Sequence, residues 1–315
     1  MNKVSDVTKG YTLGVLANIL FGFSFYFTKT VLNLVDNKVF TVLSLRFTIG
    51  LIAVIALYKF KFISLNFKGK DIKSLLILCM FQPFLYFMLE TLGVKYTSTS
   101  EFGVMISMIP VVTGIMGIIF LNEKMNLKQV VCIAIAVFGV IIVNLQNTGN
   151  QTSSMLGRIM ILGAVICAGA YGVYVRKLSK SEFTPIEITA AMQLIGTISF
   201  TSISVGGELI SGSLIEYAKG LFNMEIVFPI VYLGMGCSLL AMFLNNYSRS
   251  KLEAVKSSIL SNIATVVSIF AGVFLLNEEF NLYSIVGSVL IIISIIGMVI
   301  YGKEKCEDLE TEYTE

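Results

Sequence analysis

The sequence predicts an all-α membrane protein in which ten transmembrane helices form two inverted repeats of five helices. Three observations support this class: an apolar composition, ten apolar runs bounded by charged residues, and a polar motif that occurs twice at a fixed offset. Of the 315 residues, 56% are hydrophobic and only 14% are charged, with a mean hydropathy of +0.84. Soluble domains are about 25% charged, so this chain has too few charges to cover a water-facing surface.

The ten apolar runs are each close to the length of about 20 residues that a helix needs to cross a bilayer. We expect spans near 11–31, 39–58, 72–92, 98–121, 128–145, 157–177, 185–205, 227–247, 257–276 and 282–301. The loops between them are short, and neither G-x-x-x-x-G-K nor G-x-G-x-x-G occurs in the chain. Both facts argue against a nucleotide-binding domain and against transport driven by ATP.

The distribution of basic residues predicts the orientation. With the N-terminus in the cytoplasm, 17 of the 23 Lys and Arg residues fall on the cytoplasmic side and 5 on the other, and Arg46 alone lies within a span. Cytoplasmic loops carry the excess of basic residues in membrane proteins. We therefore expect a multi-pass protein of the cell membrane with both termini in the cytoplasm.

Histidine is absent, which removes His-ligated zinc and histidine general bases. The five cysteines are scattered and form no C-x-x-C pair. The sequence therefore predicts no metal, no cofactor, no nucleic-acid partner and no enzymatic activity; it leaves the oligomeric state open.

The motif L-N-E-x-x-N-L occurs at 121–127 and again at 276–282, each time between two apolar runs. Five spans separate the copies, and five is odd, so the second copy has the opposite orientation: Glu123 would face the cytoplasm and Glu278 the outside. A structural alternative is helix capping, with Asn126 and Gln129 forming a capping box. The predicted organisation is a cytoplasmic N-terminus (1–10), a first repeat (11–145), an external linker (146–156), a second repeat (157–301) and an acidic cytoplasmic tail (302–315).

Three motifs in the first half resemble the EamA family of the drug/metabolite transporter superfamily: Tyr96-Thr97-Ser98-Thr99-Ser100, Ile109-Pro110-Val111 and Phe120-Leu121-Asn122-Glu123. The resemblance implies two repeats over nearly the whole chain, ten helices, cytoplasmic termini and the export of amino acids or other small metabolites. The second half has Thr265 where the first has Pro110, so a proline kink in span 9 does not follow from the resemblance.

Polar residues within the spans predict a substrate site, because a polar side chain in hydrocarbon needs a partner or water. Span 9 has one polar face, which the repeat aligns with span 4. We expect a central cavity there, although tight helix packing uses the same residue types. The candidate substrate-binding residues are Asn18, Phe25, Arg46, Gln82, Tyr86, Glu90, Ser107, Pro110, Asn245, Ser261, Asn262, Thr265 and Ser268.

Arg46 and Glu90 are the charged candidates. A basic residue in mid-span costs about 2.5–3.5 kcal/mol to insert, so Arg46 should have a partner. The hypothesis is that Glu90 exchanges a proton or meets a substrate amine, while Arg46 holds a carboxylate. Structural roles for both residues remain alternatives.

The sequence thus predicts a secondary transporter that exports a small polar metabolite, such as an amino acid, across a lipid bilayer, with protons as a candidate coupling ion. Inverted repeats commonly build such carriers, which place the substrate near the midplane and work by alternating access. A lipid-carrier or nucleotide-sugar translocator of the same architecture, an intramembrane enzyme and a passive channel are the rival interpretations.

Overall fold

The structure, a computed structural model, describes residues 3–35, 38–96, 106, 108–121, 126–145, 155–181, 183–211 and 224–264. It also describes part of the last stretch, namely 266–267, 271, 275, 282–283, 285–287, 289–290, 292–294, 296–297 and 300–301. The regular elements in these residues are all helices, which confirms the all-α prediction.

Eleven helices have defined bounds in the described residues. They are α1 (Lys3–Leu34), α2 (Val39–Lys59), α3 (Ile72–Cys79), α4 (Tyr86–Tyr96), α5 (Ile109–Leu121), α6 (Leu127–Leu145), α7 (Met155–Ser181), α8 (Pro185–Ser211), α9 (Met224–Val231), α10 (Met242–Lys251) and α11 (Ala254–Ile259). A π-helical segment, Met80–Leu85, joins α3 to α4, and a second, Tyr232–Ala241, joins α9 to α10.

Six helical stretches are long and apolar enough to cross a membrane: Asp6–Leu32, Val39–Lys59, Ile72–Gly93, Met155–Ser179, Pro185–Ile210 and Glu225–Lys251. They correspond to the predicted spans 1, 2, 3, 6, 7 and 8. Predicted spans 4, 5 and 10 contain shorter apolar helices, and span 9 is only partly described. The structure therefore confirms a multi-pass membrane protein and leaves the number ten a prediction.

Side-chain caps fix where several helices begin. Asp71 precedes α3, and its carboxylate accepts hydrogen bonds from the backbone N–H groups of Lys73 and Ser74. Before α8, the backbone N–H of Thr184 donates to Glu187, and Pro185 occupies the first helical position. At α6 the N–H of Asn126 donates to Oε1 of Gln129 at 3.0 Å, which is one of the two hydrogen bonds of the capping box considered for this pair.

Both π-helical segments lie in the middle of a span and at matching places in the two halves, spans 3 and 8. In span 3 the backbone of Gln82 is extended, and Pro83 follows it through a cis peptide bond. Proline lacks an N–H and interrupts the helical hydrogen-bond ladder. Such wide turns frequently occur at functional sites.

The contacts between helices repeat from one half to the other. Between spans 3 and 6, a side chain added at Gly93 of α4 would meet Ile161 of α7; between spans 1 and 8, one added at Gly14 of α1 would meet Ser248 of α10. The α7 position Gly169 lies against Val112 just as the α1 position Gly22 lies against Val267. Spans 3 and 6 therefore pack like spans 8 and 1, which is the relation expected between two similar repeats.

Helices α2 and α8 pack against each other at the centre of this arrangement. Thr41 contacts Ser204 and Ser44 contacts Thr201 through hydroxyl pairs at 3.3 and 2.9 Å. Further along, Gly50 meets Gln193, so the two helices run antiparallel. Because α2 and α8 are equivalent spans of the two halves, their opposite directions make the second repeat inverted.

Spans 5 and 10 are also equivalent spans of the two halves, and we expect them to pack against each other as spans 2 and 7 do. The Sγ of Cys132 lies 2.8 Å from the point where a Cβ on Gly297 would be. This is close to the separation across a disulfide, so Gly297→Cys should crosslink to Cys132 on mild oxidation. With a protease site inserted between the halves at 146–154, the crosslinked chain should remain one band on a non-reducing gel after cleavage.

The matched control is Gly297→Cys combined with Cys132→Ser, which should give two fragments. Two fragments from the first variant as well would contradict the pairing of spans 5 and 10.

Candidate functional site

A buried polar cluster lies where spans 2, 7 and 8 meet. Arg46 is 6% exposed, and its Nε donates to Oγ of Ser238 at 2.5 Å. The amide nitrogen of Gln193 donates to the backbone carbonyl of Ser238. The close approach of α2 depends on Gly234, because a side chain there would overlap Ile49. The predicted partner of Arg46 is thus a hydroxyl group rather than a carboxylate.

The other side of Arg46 faces span 3. Its guanidinium carbon lies 4.8 Å from the ring centroid of Phe87, a cation–π contact. Glu90 follows Phe87 by three residues on α4 and so lies on the same helical face. The Tyr86 hydroxyl donates to Glu90 Oε1 at 3.0 Å. Arg46, Glu90 and Tyr86 interact electrostatically, but among the described residues Glu90 forms no ion pair. We call Arg46, Tyr86, Phe87 and Glu90 the outer group.

A second polar cluster joins spans 6, 7 and 8. The hydroxyl of Tyr171 donates to Oδ1 of Asn246, and Nδ2 of Asn246 donates to Oγ1 of Thr189 at 2.9 Å. All three residues are almost fully buried. Each helix thus contributes one member to a satisfied network, which is the arrangement that a low-dielectric interior requires.

Arg249 lies beside this network and is also only 6% exposed. Its guanidinium carbon is 5.5 Å from the centroid of the Tyr171 ring, and a side chain on Gly172 would overlap it. Its Nε and Nη1 are buried without a hydrogen-bond partner, and so is the Oγ1 of Thr113. Within the described chain no carboxylate pairs with this arginine. We call Arg249, Thr113, Tyr171 and Gly172 the inner group.

The two groups lie at different depths. On α7, Gly163 meets Leu89, the neighbour of Glu90, whereas Gly172 meets Arg249. Nine residues of helix, at 1.5 Å each, place the two levels about 13 Å apart. Tyr86 of the outer group interacts electrostatically with Arg249 as well as with Arg46, so the two groups are close enough to influence each other.

A cavity of about 350 Å³ opens at the end of spans 6 and 8, beyond the inner group. Its lining combines polar and charged residues with apolar and aromatic ones, namely Ser179, Phe183, Thr184, Pro185, Tyr247, Ser250 and Lys251. Ser179 lies two turns beyond Tyr171 on α7, and Ser250 lies one turn beyond Asn246 on α10. The cavity and the inner group are therefore neighbours along the same helices.

The remaining predicted residues are placed as follows. Asn18 is buried and donates back to the carbonyl of Gly14 at 2.7 Å, and Gln82 is half-buried in the π-helical segment. Pro110 is buried in the first turn of α5. Ser261 donates to the carbonyl of Ser258, and the Nδ2 of buried Asn262 has no partner.

Four predicted positions lie outside the described residues or side chains: Phe25, Ser107, Thr265 and Ser268. Asn122, Glu123, Asn277 and Glu278 of the repeated motif also lie outside. The polar face of span 9 is nevertheless buried where it is described, at Ser257, Ser258 and Asn262.

Sequence reasoning missed several residues of these clusters. Asn245 was predicted, but its neighbour Asn246 makes the hydrogen bonds. Arg249 and Arg176 were counted with the charges of the cytoplasmic surface, whereas the structure buries both within helices, and Arg176 donates to the carbonyl of Arg249. The available signal was spacing, since Arg249 follows Asn246 by three residues and shares its face.

Comparison with known proteins agrees with this architecture. The EamA-like transporter family matches residues 8–145 and 155–300, close to the two predicted repeats. An uncharacterized transporter of Bacillus subtilis, YcxC, is 30% identical over 92% of both chains. An uncharacterized transporter of Archaeoglobus fulgidus is 28% identical over 80% of this chain and 85% of its own. A WAT1-related protein of Arabidopsis thaliana is 23% identical over 76% and 70%.

A solved crystal structure has the same fold, with a TM-score of 0.76 and 14% sequence identity, over 94% of this chain and 98% of the other. The family match covers nearly the whole chain in two copies, and the Bacillus and Archaeoglobus relatives are named as transporters. This chain therefore belongs to the EamA-like transporter family and is a multi-pass membrane transporter.

Proposed function

We propose that this chain is a secondary carrier that exports a small zwitterionic metabolite, such as an amino acid, by alternating access. The observation that carries the proposal is the outer group: Arg46 of α2 contacts the face of α4 that carries Glu90, and the two residues form no ion pair among the described residues. A buried positive and a buried negative group that are not paired with each other can each take the opposite charge of a zwitterion. Arg46 would hold the carboxylate and Glu90 the amine.

The packing of α2 and α8 supports alternating access. Lys38 pairs with Glu208 at 2.8 Å at one end of α8, and Lys70 pairs with Glu187 at 2.6 Å at the other. Both pairs link the first half of the chain to the second. A rocking motion between the halves would open one end while the pair at the other end stays closed, as carriers built from inverted repeats do.

Glu90 is proposed to couple transport to protons. Its described hydrogen-bond partner is the neutral Tyr86 hydroxyl, and Arg46 acts on it electrostatically without forming an ion pair. Ionised Glu90 would bind the substrate amine, and protonated Glu90 would release it. The Glu90 carboxylate would then hold either a proton or the substrate amine, but not both at once.

Replacement of Arg46 by Gln should lower the rate of solute counterflow in proteoliposomes by about 10- to 100-fold, since a charge-assisted hydrogen bond contributes about 1.5–3 kcal/mol. The measurement is exchange of a panel of labelled amino acids, with lactate and a nucleotide sugar as non-zwitterionic comparisons. The matched control is Arg158→Gln, at an exposed position at the start of α7, which should keep the wild-type rate. An Arg46→Gln protein that exchanges amino acids normally would contradict the proposal.

Replacement of Glu90 by Gln should remove the pH dependence of flux, because the amide cannot ionise. Flux of the labelled amino acid is measured between pH 5.5 and 8.5 with and without an imposed proton gradient. Glu225→Gln, an exposed position in the first turn of α9, is the matched control and should retain the pH dependence. A Glu90→Gln profile that follows the wild type would remove the coupling role.

The proposed orientation places both termini in the cytoplasm and the two copies of the repeated motif on opposite sides. Reporter tags inserted at 123 and 278 test it in cells: the first should be active only in the cytoplasm and the second only outside. Tags on the same side would refute the orientation.

A further inference from the structure

We propose that the inner group is a second solute site, which binds a carboxylate through Arg249 before the solute reaches the outer group. This inference rests on the proposed function for its place in the transport path, but the site itself is defined by its own contacts. Neither the predicted site residues nor the outer group includes Arg249.

The first argument is the state of the guanidinium. Arg249 is 6% exposed, and two of its nitrogens, Nε and Nη1, are buried without partners. Buried donors are nearly always hydrogen-bonded, and an isolated exception indicates a ligand or a functional role. An uncompensated buried charge is the most costly case. A bound anion would satisfy both the charge and the donors.

The second argument is the shape of the surroundings. The guanidinium lies over the ring of Tyr171, and its own backbone carbonyl is held by Arg176 at 3.3 Å. Gly172 has no side chain, and the guanidinium occupies the space that a Cβ at this position would fill. The unpartnered Oγ1 of Thr113 belongs to a residue that also packs against Gly172. A cation with two open nitrogens beside an open hydroxyl is suited to a carboxylate, which accepts through two oxygens.

The third argument is access. The cavity lined by Ser179, Thr184 and Ser250 lies one to two helical turns from the inner group. The network of Tyr171, Asn246 and Thr189, which shares Tyr171 with the inner group, belongs to the same three helices. A solute that enters from this cavity would reach Arg249 before Arg46.

The test is thermal unfolding of the purified full-length protein in detergent, with sodium acetate, L-alanine or ethylammonium chloride added at constant ionic strength. Acetate and L-alanine should raise the Tm of the wild type in a saturable way, whereas ethylammonium should not. Acetate protection should be lost in Arg249→Gln and reduced in Thr113→Val, which keeps the shape and removes the hydroxyl group.

Gly172→Ala provides a second variant that leaves the charge in place, because the added methyl group would displace the guanidinium. It should also lose acetate protection. The matched control is Gly163→Ala on the same helix, where the added methyl group would meet only the flexible end of Leu89 at 3.1 Å; this variant should behave as the wild type. If Arg249→Gln does not fold, Gly172→Ala decides the question.

Acetate protection that persists in both Arg249→Gln and Gly172→Ala, or no protection of the wild type, would overturn the proposal. Arg46→Gln separates this result from the proposed function: it should lose amino acid exchange and keep acetate protection. If Arg46→Gln transports normally while acetate protection depends on Arg249, the outer site fails and the inner site stands. If Arg46→Gln itself abolishes acetate protection, the inner group is not a separate site.

Discussion

Hydrocarbon offers no hydrogen-bond partners, and this constraint explains most of the structure. Backbone groups satisfy it by forming helices, and buried side chains satisfy it by pairing across helices, as Asn246 does with Tyr171 and Thr189. The exceptions are therefore informative. Arg249 and Thr113 are two of several described residues that are buried with an unpartnered polar atom; both pack against Gly172, and the other buried arginines, Arg46 and Arg176, have partners.

The scaffold is nearly symmetric, but its polar groups are not. Equivalent glycines, such as Gly22 and Gly169, allow the same close helix contacts in the two repeats. In contrast, Gln193, Asn246 and Arg249 all come from the second half. The position equivalent to Gln193, judged from the crossing of α2 and α8, is Phe47, a fully buried aromatic residue. Packing therefore maintains the repeat, while the proposed binding groups differ between the halves: the outer group comes from the first half and Arg249 from the second.

Composition and charge predicted the spans well, because the bilayer fixes helix length; span 2 was expected at 39–58 and is Val39–Lys59.

The face of a helix on which an individual side chain lies was harder to predict. A regular spacing of 3.6 residues along span 8 selected Asn245, but the π-helical segment Tyr232–Ala241 widens the helix and rotates the following residues, so Asn246 faces the interior. In span 3, Pro83 indicates the irregular helix from the sequence. In span 8, the π-helical segment Tyr232–Ala241 contains no proline, so the sequence gives no such indication. Arg249 was missed because a basic residue near a span end resembles an orientation signal.

The charges at the two levels differ, and the difference gives a direction to the proposed path. Ionised Glu90 and Arg46 leave the outer group neutral overall, while the inner group carries the unpaired charge of Arg249. A carboxylate is then attracted more strongly to the inner level, since interactions with a net charge are strong in a low dielectric. Protonation of Glu90 makes the outer group positive and reduces this preference. In the proposed cycle a proton that arrives at Glu90 releases the amine of the zwitterion, while its carboxylate stays attracted to the arginines of the two levels, which lie about 13 Å apart.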